Sequence, residues 1–146
     1  MIYRGILALG LAVAPLAGHA QDAVPAPATG MLLELNLAED TPAGDCRMTF
    51  VAANRSATDL RQAAWQVGVF DAAGVVRSLL VLDFGALAAG KTKITLFDLP
   101  GRTCGDISRI VINDVAQCLP QTGDEQARIC LDGLSTASRN DIQLGL

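Results

Sequence analysis

The stretch Ala63–Leu99, AAWQVGVFDAAGVVRSLLVLDFGALAAGKTKITLFDL, decides how the rest of the chain can fold. It contains three apolar runs, which are separated by two short segments that contain glycine. Apolar residues alternate in the first run, with Trp65 among them, which predicts a half-buried strand. Asp71–Gly74 has the composition of a tight hairpin turn, because glycine supplies the backbone angle that such turns need. We therefore expect consecutive strands at the centre of a β-domain, with Trp65 in its core.

The second glycine-containing segment includes a match to a phosphate-binding loop. Gly85–Thr92, GALAAGKT, fits the pattern G-x-x-x-x-G-K-[ST]. Such a loop needs a helix after it, because the helix N-terminus and the loop amides bind the phosphates together. The following segment instead alternates and is rich in β-forming residues. We interpret Gly85–Thr92 as a turn between two strands, with Lys91 and Lys93 in solvent, and expect no nucleotide to bind.

The N-terminus is typical of a secretory signal peptide. Arg4 precedes an apolar run over residues 5–16, and Gly18–Ala20 ends in the small residues that signal peptidase reads. The run is shorter than the about 20 residues that a membrane-spanning helix needs. We expect cleavage after Ala20 and export to the periplasm, with secretion as the alternative, and no stable membrane span afterwards. Residues 21–30 read as a flexible linker, which leaves 31–146 as a single domain.

Cleavage changes the chemistry that the chain has available. The only histidine, His19, leaves with the signal peptide, which removes histidine-based catalysis and imidazole metal sites. Loss of Arg4 from the 11 Lys and Arg residues leaves 10 of them against 15 Asp and Glu, a net charge of -5. This acidic balance argues against nucleic-acid binding. We expect no cofactor and no metal ion.

Four cysteines stand in the exported part: Cys46, Cys104, Cys118 and Cys130. An even count without a C-x-x-C pair in an exported chain predicts two disulfides rather than a zinc site. Cys104 and Cys118 flank a predicted strand, whose extended length would keep their Cα atoms far beyond the about 7 Å that a bridge allows. Two pairings remain, and we favour Cys46–Cys104 with Cys118–Cys130, since the second bridge closes a local loop.

Period-two alternation continues along the chain, and no segment has a convincing helical period. The predicted strands are 31–37, 46–53, 60–71, 75–84, 91–99, 107–118 and a last edge strand within 138–146. Residues 129–134 receive no assignment. Asn54–Ser56 matches a glycosylation acceptor, which we interpret as turn chemistry. About seven short strands predict an all-β fold, an antiparallel immunoglobulin-like β-sandwich with two disulfides.

Several segments resemble those of known families. The spacing Cys46…Trp65…Cys104 is similar to that of immunoglobulin domains. An apolar strand ends in an aromatic-Asp pair and is followed by a glycine turn and a small-Gly-polar turn, an order that resembles FxLYD-type exported β-sandwich modules. The residues that carry this second likeness are Val69–Asp71, Gly74–Val76, Ala89–Thr92 and Asn54.

A third likeness covers the whole exported part. It is carried by Met31–Asn36, Cys46–Phe50, Asp83–Gly85, Phe97–Leu99, Ile112–Asp114 and Ser138–Ile142. These segments resemble a family of small uncharacterised exported proteins of alphaproteobacteria. The resemblance implies a β-sandwich and an exported location, and it implies no activity, because a fold does not determine a function.

Three functions are compatible with this sequence. The leading hypothesis is a non-catalytic binding or structural module of the cell envelope, whose partner is another envelope protein. The alternatives are a small-ligand-binding protein with a pocket between the sheets and a hydrolase that uses carboxylates alone, since glycoside cleavage needs only a carboxylate pair. The candidate carboxylates are Asp71, Asp83, Asp98, Asp106 and Asp114. We interpret them as solvated turn and strand-end residues and assign no residue a catalytic role.

Overall fold

A computed structural model describes residues 29–123 and 128–146. The predicted signal peptide and residues 21–28 of the predicted linker lie outside the described residues. The strands are β1 Met31–Asp40, β2 Cys46–Asn54, β3 Leu60–Asp71, β4 Val76–Leu87, β5 Thr92–Leu99, β6 Ile107–Pro120, β7 Leu134–Ser138 and β8 Gln143–Gly145. A 3-10 turn at Cys104–Asp106 precedes β6, and a one-turn helix, α1 at Ile129–Asp132, precedes β7. The all-β prediction is confirmed.

The strands form two four-stranded sheets. Sheet A has the order β5-β2-β1-β7, and sheet B has the order β4-β3-β6-β8. Most neighbours run antiparallel, but β1 and β7 run parallel, as do β6 and β8. The prediction of a purely antiparallel fold is therefore wrong, because both sheets are mixed; the described residues form eight strands, close to the about seven predicted.

The parallel pair β1–β7 follows from how the two strands begin. Gly30 and Gly133 precede them and lie backbone against backbone, so closely that a Cβ on Gly30 would collide with the Gly133 carbonyl. Met31 N donates to Gly133 O at 3.1 Å, and Met31 pairs with Leu134. The two strands start side by side at one end and run in the same direction. Gly30, which the sequence placed in the linker, is buried in the domain.

One apolar core lies between the two sheets. Sheet B contributes Trp65 and Phe84, and sheet A contributes Phe50 and Phe97. The rings pack edge to face, with centroids 5.7 Å apart for Trp65–Phe84 and 5.4 Å apart for Phe84–Phe97. Trp65 is fully buried, and its Nε1 donates to Cys130 O at 2.9 Å. Trp65 is therefore a core residue, as predicted.

Two disulfides connect distant parts of this framework. Cys46–Cys104 joins the start of β2 to the 3-10 turn before β6, with Cα atoms 4.7 Å apart. Cys118–Cys130 joins β6 to α1, with Cα atoms 6.0 Å apart. This is the pairing that the sequence favoured. The first bridge links a strand of sheet A to the segment that leads into sheet B.

The C-terminal part differs most from the predicted boundaries. Residues 129–134, which received no assignment, contain α1 and the first residue of β7. The predicted edge strand within 138–146 contains only the end of β7 and the three residues of β8, which does lie at an edge of sheet B. Both strands are short and pair with β1 and β6, which are remote in sequence, so local alternation could not define them.

Candidate binding surface

The outer face of sheet A carries a cluster of exposed aliphatic side chains. Ile94 and Leu96 of β5 are 64% and 56% exposed, and Leu37 of β1 is 45% exposed. The strand register places Leu96 beside Thr49, Thr49 beside Leu37, and Ile94 beside Val51. We call these five residues the aliphatic patch. Contiguous exposed apolar surface of this kind is typical of protein contact sites, whereas single exposed aliphatics are not.

A row of charged residues borders the aliphatic patch at one end. The register sets Asp98 of β5, Arg47 of β2 and Glu39 of β1 side by side. Arg47 donates through Nε and Nη2 to the two carboxylate oxygens of Asp98, each at 2.7 Å. This pair lowers the pKa of Asp98 and raises the pKa of Arg47. With two acids and one base, the row is net negative.

Glu34 borders the aliphatic patch on another side. It pairs with Val51 across β1 and β2. Its Oε1 accepts from Arg139 Nε and from Asn36 Nδ2, each at 2.8 Å. These hydrogen bonds lower the pKa of Glu34, the one from Arg139 most strongly. Glu34 therefore remains ionised at neutral pH.

The sequence did not predict the aliphatic patch. In β5 apolar residues occupy both faces, with Phe97 towards the core and Leu96 outward, so the alternation of side chains alone does not tell which face is buried.

The prediction that Lys93 lies in solvent is wrong. Its side chain is directed to β4, where Nζ donates to the carbonyls of Phe84 and Ala86. An ammonium group can point inward here only because the other sheet supplies those acceptors.

The Gly85–Thr92 segment is a connection between strands, as expected. Its first three residues complete β4, and Thr92 begins β5. The backbone turns where Lys91 N donates to Ala88 O at 3.1 Å, and the Lys91 side chain is exposed. A strand therefore stands where a phosphate loop needs a helix N-terminus. A cavity of about 450 Å³ lies beside the segment, and the charged side chains in its lining are Asp59, Lys91 and Lys93.

Most of the candidate carboxylates serve local structure. Asp83 Oδ1 accepts from Gly85 N at 2.7 Å, and Asp106 Oδ2 accepts from Thr103 Oγ1 at 2.9 Å. Asp98 belongs to the charged row beside the aliphatic patch. Asp114 Oδ1 accepts from the N–H of the next residue at 2.7 Å. Asp98 and Asp106 lie near a strand end and in a turn, as interpreted from the sequence, whereas Asp83 and Asp114 lie within β4 and β6.

Asp71 and Asp106 both line one shallow cavity of about 400 Å³, together with Arg77 and Arg102. Asp71 accepts from Val75 N at 2.9 Å and from Arg77 Nε at 2.6 Å. These bonds lower the pKa of Asp71, the one from Val75 most strongly. Carboxylate-only glycoside cleavage needs one group that stays protonated, which requires a raised pKa. Asp71 shifts in the opposite direction and is therefore unsuited to act as the general acid.

Two further properties concern metals and membranes. Within residues 29–123 and 128–146, no group of three or more His, Cys, Asp or Glu side chains could hold a metal ion. Among the helices of that part of the chain, none is long and apolar enough to cross a membrane.

Comparisons with known proteins leave the family open. No family model, curated protein or solved structure matches the chain. The likeness to exported β-sandwich modules therefore stays an expectation from the sequence.

Proposed function

We propose that this chain is an exported, periplasmic binding module of the cell envelope, built as an immunoglobulin-like β-sandwich, and that its aliphatic patch contacts another envelope protein. The observation that carries the proposal is the clustering of Leu37, Ile94 and Leu96 on one sheet face, each at least 45% exposed. Two disulfides support an oxidising compartment, because cytosolic thiols are kept reduced. The lowered pKa of Asp71 makes this residue unsuited to be the general acid of a carboxylate-only hydrolase.

The charges around the aliphatic patch define the chemistry of the partner. Protein interfaces commonly have an apolar centre and a polar rim with complementary charges. Here Asp98, Arg47 and Glu39 form a net negative row at the rim, whereas the charge of Glu34 is balanced by its ion pair with Arg139. The partner is therefore a protein with an aliphatic ridge flanked by Lys or Arg side chains. Added salt weakens the contact, because the rim charges are solvent-exposed and are screened.

Site-specific photo-crosslinking in the native cell envelope tests this proposal. A photoreactive residue at Leu96 is expected to form one discrete adduct with an envelope protein. Leu131 of α1 is the matched control, since its exposure of 55% is close to the 56% of Leu96 and it belongs to the helix rather than to the aliphatic patch. The same adducts from both positions, or none from Leu96, would overturn the assignment of the surface.

A substitution within the patch separates binding from folding. Ile94→Glu places a charge among the aliphatic side chains and is expected to remove the Leu96 adduct. Because Ile94 is 64% exposed, the substitution should change the free energy of unfolding by less than about 0.5 kcal/mol. An adduct of undiminished yield in a folded Ile94→Glu variant contradicts the proposal.

A further inference from the structure

β4 is an edge strand whose outward side lacks a neighbour among the described residues. It pairs with β3 on one side only. Alternate residues of an edge strand direct their backbone N–H and C=O groups away from the sheet, where they can pair with another strand. Two large aliphatic side chains of this strand are exposed on the outer face of sheet B, Leu79 at 60% and Val81 at 50%. Edge strands of this kind are usually protected or occupied.

Only part of β4 is protected by the chain itself. At the C-terminal end Gly85 has a φ of 64°, and Lys93 Nζ donates to the carbonyls of Phe84 and Ala86, so this end cannot continue a ladder. At the N-terminal end the register with β3 shifts next to Ser78. Between these irregularities, residues 78–83 pair with β3 in regular register. This regular segment is the central part of the edge that can accept another strand, and Arg77 lies directly before it.

The side of the sandwich formed by β4 and β5 also has unsatisfied buried polar atoms. Ser78 Oγ of β4 and Thr95 Oγ1 of β5 are buried and have no hydrogen-bond partner. Ser78 pairs with Val69, and Thr95 pairs with Phe50. Because paired residues share a face and both partners are core residues, Ser78 and Thr95 lie on the inner faces of the two edge strands. Buried polar atoms without partners are rare in folded proteins.

The sequence of β4 is complementary to itself in one antiparallel register. Residues directly opposite in an antiparallel pair share a face. A two-fold axis at Leu80 places Arg77 opposite Asp83 of the second copy at both ends of the pair. Between them, Leu79 lies opposite Val81 of the second copy. A shift of the axis to Leu79 would place Arg77 opposite Val81 instead, and the charge pairing would be lost.

We propose that β4 pairs antiparallel with β4 of a second copy of this chain about a two-fold axis at Leu80, which joins the two B sheets into one eight-stranded sheet. Opposite charges and aliphatic residues directly across an antiparallel pair are the combinations that stabilise sheets. The same patch serves both partners, as a two-fold interface requires. The dimer leaves the aliphatic patch on the A sheets free, so it does not depend on the proposed envelope partner.

The oligomeric state of residues 21–146, purified with both disulfides formed, tests the dimer. Light scattering and sedimentation are expected to give a dimer that dissociates on dilution. Val81→Lys brings a positive charge near Arg77 of the second copy and should weaken the dimer at least about tenfold. Ile94→Lys is the matched control on the outer face of sheet A, with 64% exposure against 50% for Val81, and should leave the dimer intact.

A charge exchange tests the register. Asp83→Arg alone should weaken the dimer, and Asp83→Arg combined with Arg77→Asp should restore it, because the opposite charges then face each other again. Circular dichroism checks that each variant is folded, since Asp83 also accepts from Gly85 N and Arg77 donates to Asp71. A monomer at every concentration, a dimer lost through Ile94→Lys but not Val81→Lys, or no restoration in a folded double variant would overturn the proposal.

A second probe is independent of charge. Leu80 lies opposite itself in the proposed register, so Leu80→Cys is expected to form a disulfide-linked dimer under mild oxidation. Thr92→Cys on β5 is the control, because β5 is not part of the pair, and it should stay unlinked. Equal linking at both positions contradicts a specific β4 contact. If the dimer forms but a photoreactive residue at Leu96 gives no adduct, the proposed envelope partner is contradicted and the β4 dimer is not.

Discussion

Asn54 shows how one buried polar residue can hold several segments together. It is 1% exposed and lies at the end of β2. Its Nδ2 donates to Thr58 O at 2.8 Å and to Leu87 O at 3.0 Å, and its Oδ1 accepts from Ser56 N and Ser56 Oγ. The amide joins β2, the loop before β3 and the end of β4. Turn chemistry explains the N-x-S match, since the side-chain nitrogen is buried and engaged.

Replacement of Asn54 by Ala should destabilise the domain strongly. The substitution leaves buried carbonyl and N–H groups without partners, which we expect to lower the free energy of unfolding by about 3 kcal/mol. Denaturant titration measures the change. Asn113→Ala is the control, because Asn113 is exposed and its side chain donates to that of Gln66, and it should cost less than about 0.5 kcal/mol. Similar losses in both variants would contradict the role given to Asn54.

Gly30 is a second residue that only a specific close contact explains. Its φ is 108°, and a Cβ would collide with the Gly133 backbone. Gly30→Ala should therefore lower the free energy of unfolding by about 2 to 5 kcal/mol, from backbone strain and overpacking together. Gly101→Ala has similar strain at a φ of 70° but open space around the Cβ, so about 1 to 2 kcal/mol is expected. The melting temperatures of the two variants measure these losses. An equal decrease for Gly30→Ala and Gly101→Ala would show that the contact with Gly133 is unimportant.

At the scale of elements, the β3–β4 hairpin depends on one ionised carboxylate. Asp71 accepts from the N–H groups of Ala73 and Val75, each at 2.9 Å, and from Arg77. Gly74 at a φ of 76° completes the turn. The hydrogen bonds, that from Val75 first, lower the pKa of Asp71. The hairpin therefore binds the ionised form more favourably than the unfolded chain does.

This linkage sets the pH dependence of the hairpin's contribution. The stabilisation by Asp71 should be complete above its unfolded pKa of about 3.9 and should be lost as the pH falls through the lower folded pKa. Asp71→Asn cannot ionise, so its free energy of unfolding should fall less steeply over that acidic range than that of the parent chain. Urea titrations at a series of pH values measure both slopes. Identical slopes would contradict a lowered pKa for Asp71 in the folded state.

For the whole molecule, the two disulfides should differ in their contribution to stability. Cys46–Cys104 has a sequence separation of 58 residues and Cys118–Cys130 one of 12. Loop-closure entropy predicts losses of about 4 and about 3 kcal/mol when each pair is replaced by Ala. The Cys46/Cys104 double variant should therefore melt at the lower temperature in calorimetry. The reverse order would show that packing around α1, where Trp65 contacts Cys130, outweighs the chain entropy.

The elements that the sequence predicted well are those with one buried face. β2 and β3 were predicted within one residue of their observed ends, because alternation marks a half-buried strand directly. β4 was predicted to end at Phe84, three residues early, since Gly85 interrupts the pattern while the strand continues. The candidate site was missed for a related reason, since Ile94 and Leu96 look like core residues until the register shows them facing outward.

The local features can be predicted from the amino-acid sequence alone: an all-β chain, the turns at Asp71–Gly74 and Gly85–Thr92, and a preferred disulfide pairing. These depend on backbone angles, side-chain alternation and cysteine spacing, which neighbouring residues specify. The parallel strand pairs, the inward position of Lys93 and the aliphatic patch that unites Leu37 with Leu96 become visible when distant segments are packed together. Strand pairing between distant segments depends on the joint burial of many side chains, and that is not written in any one stretch.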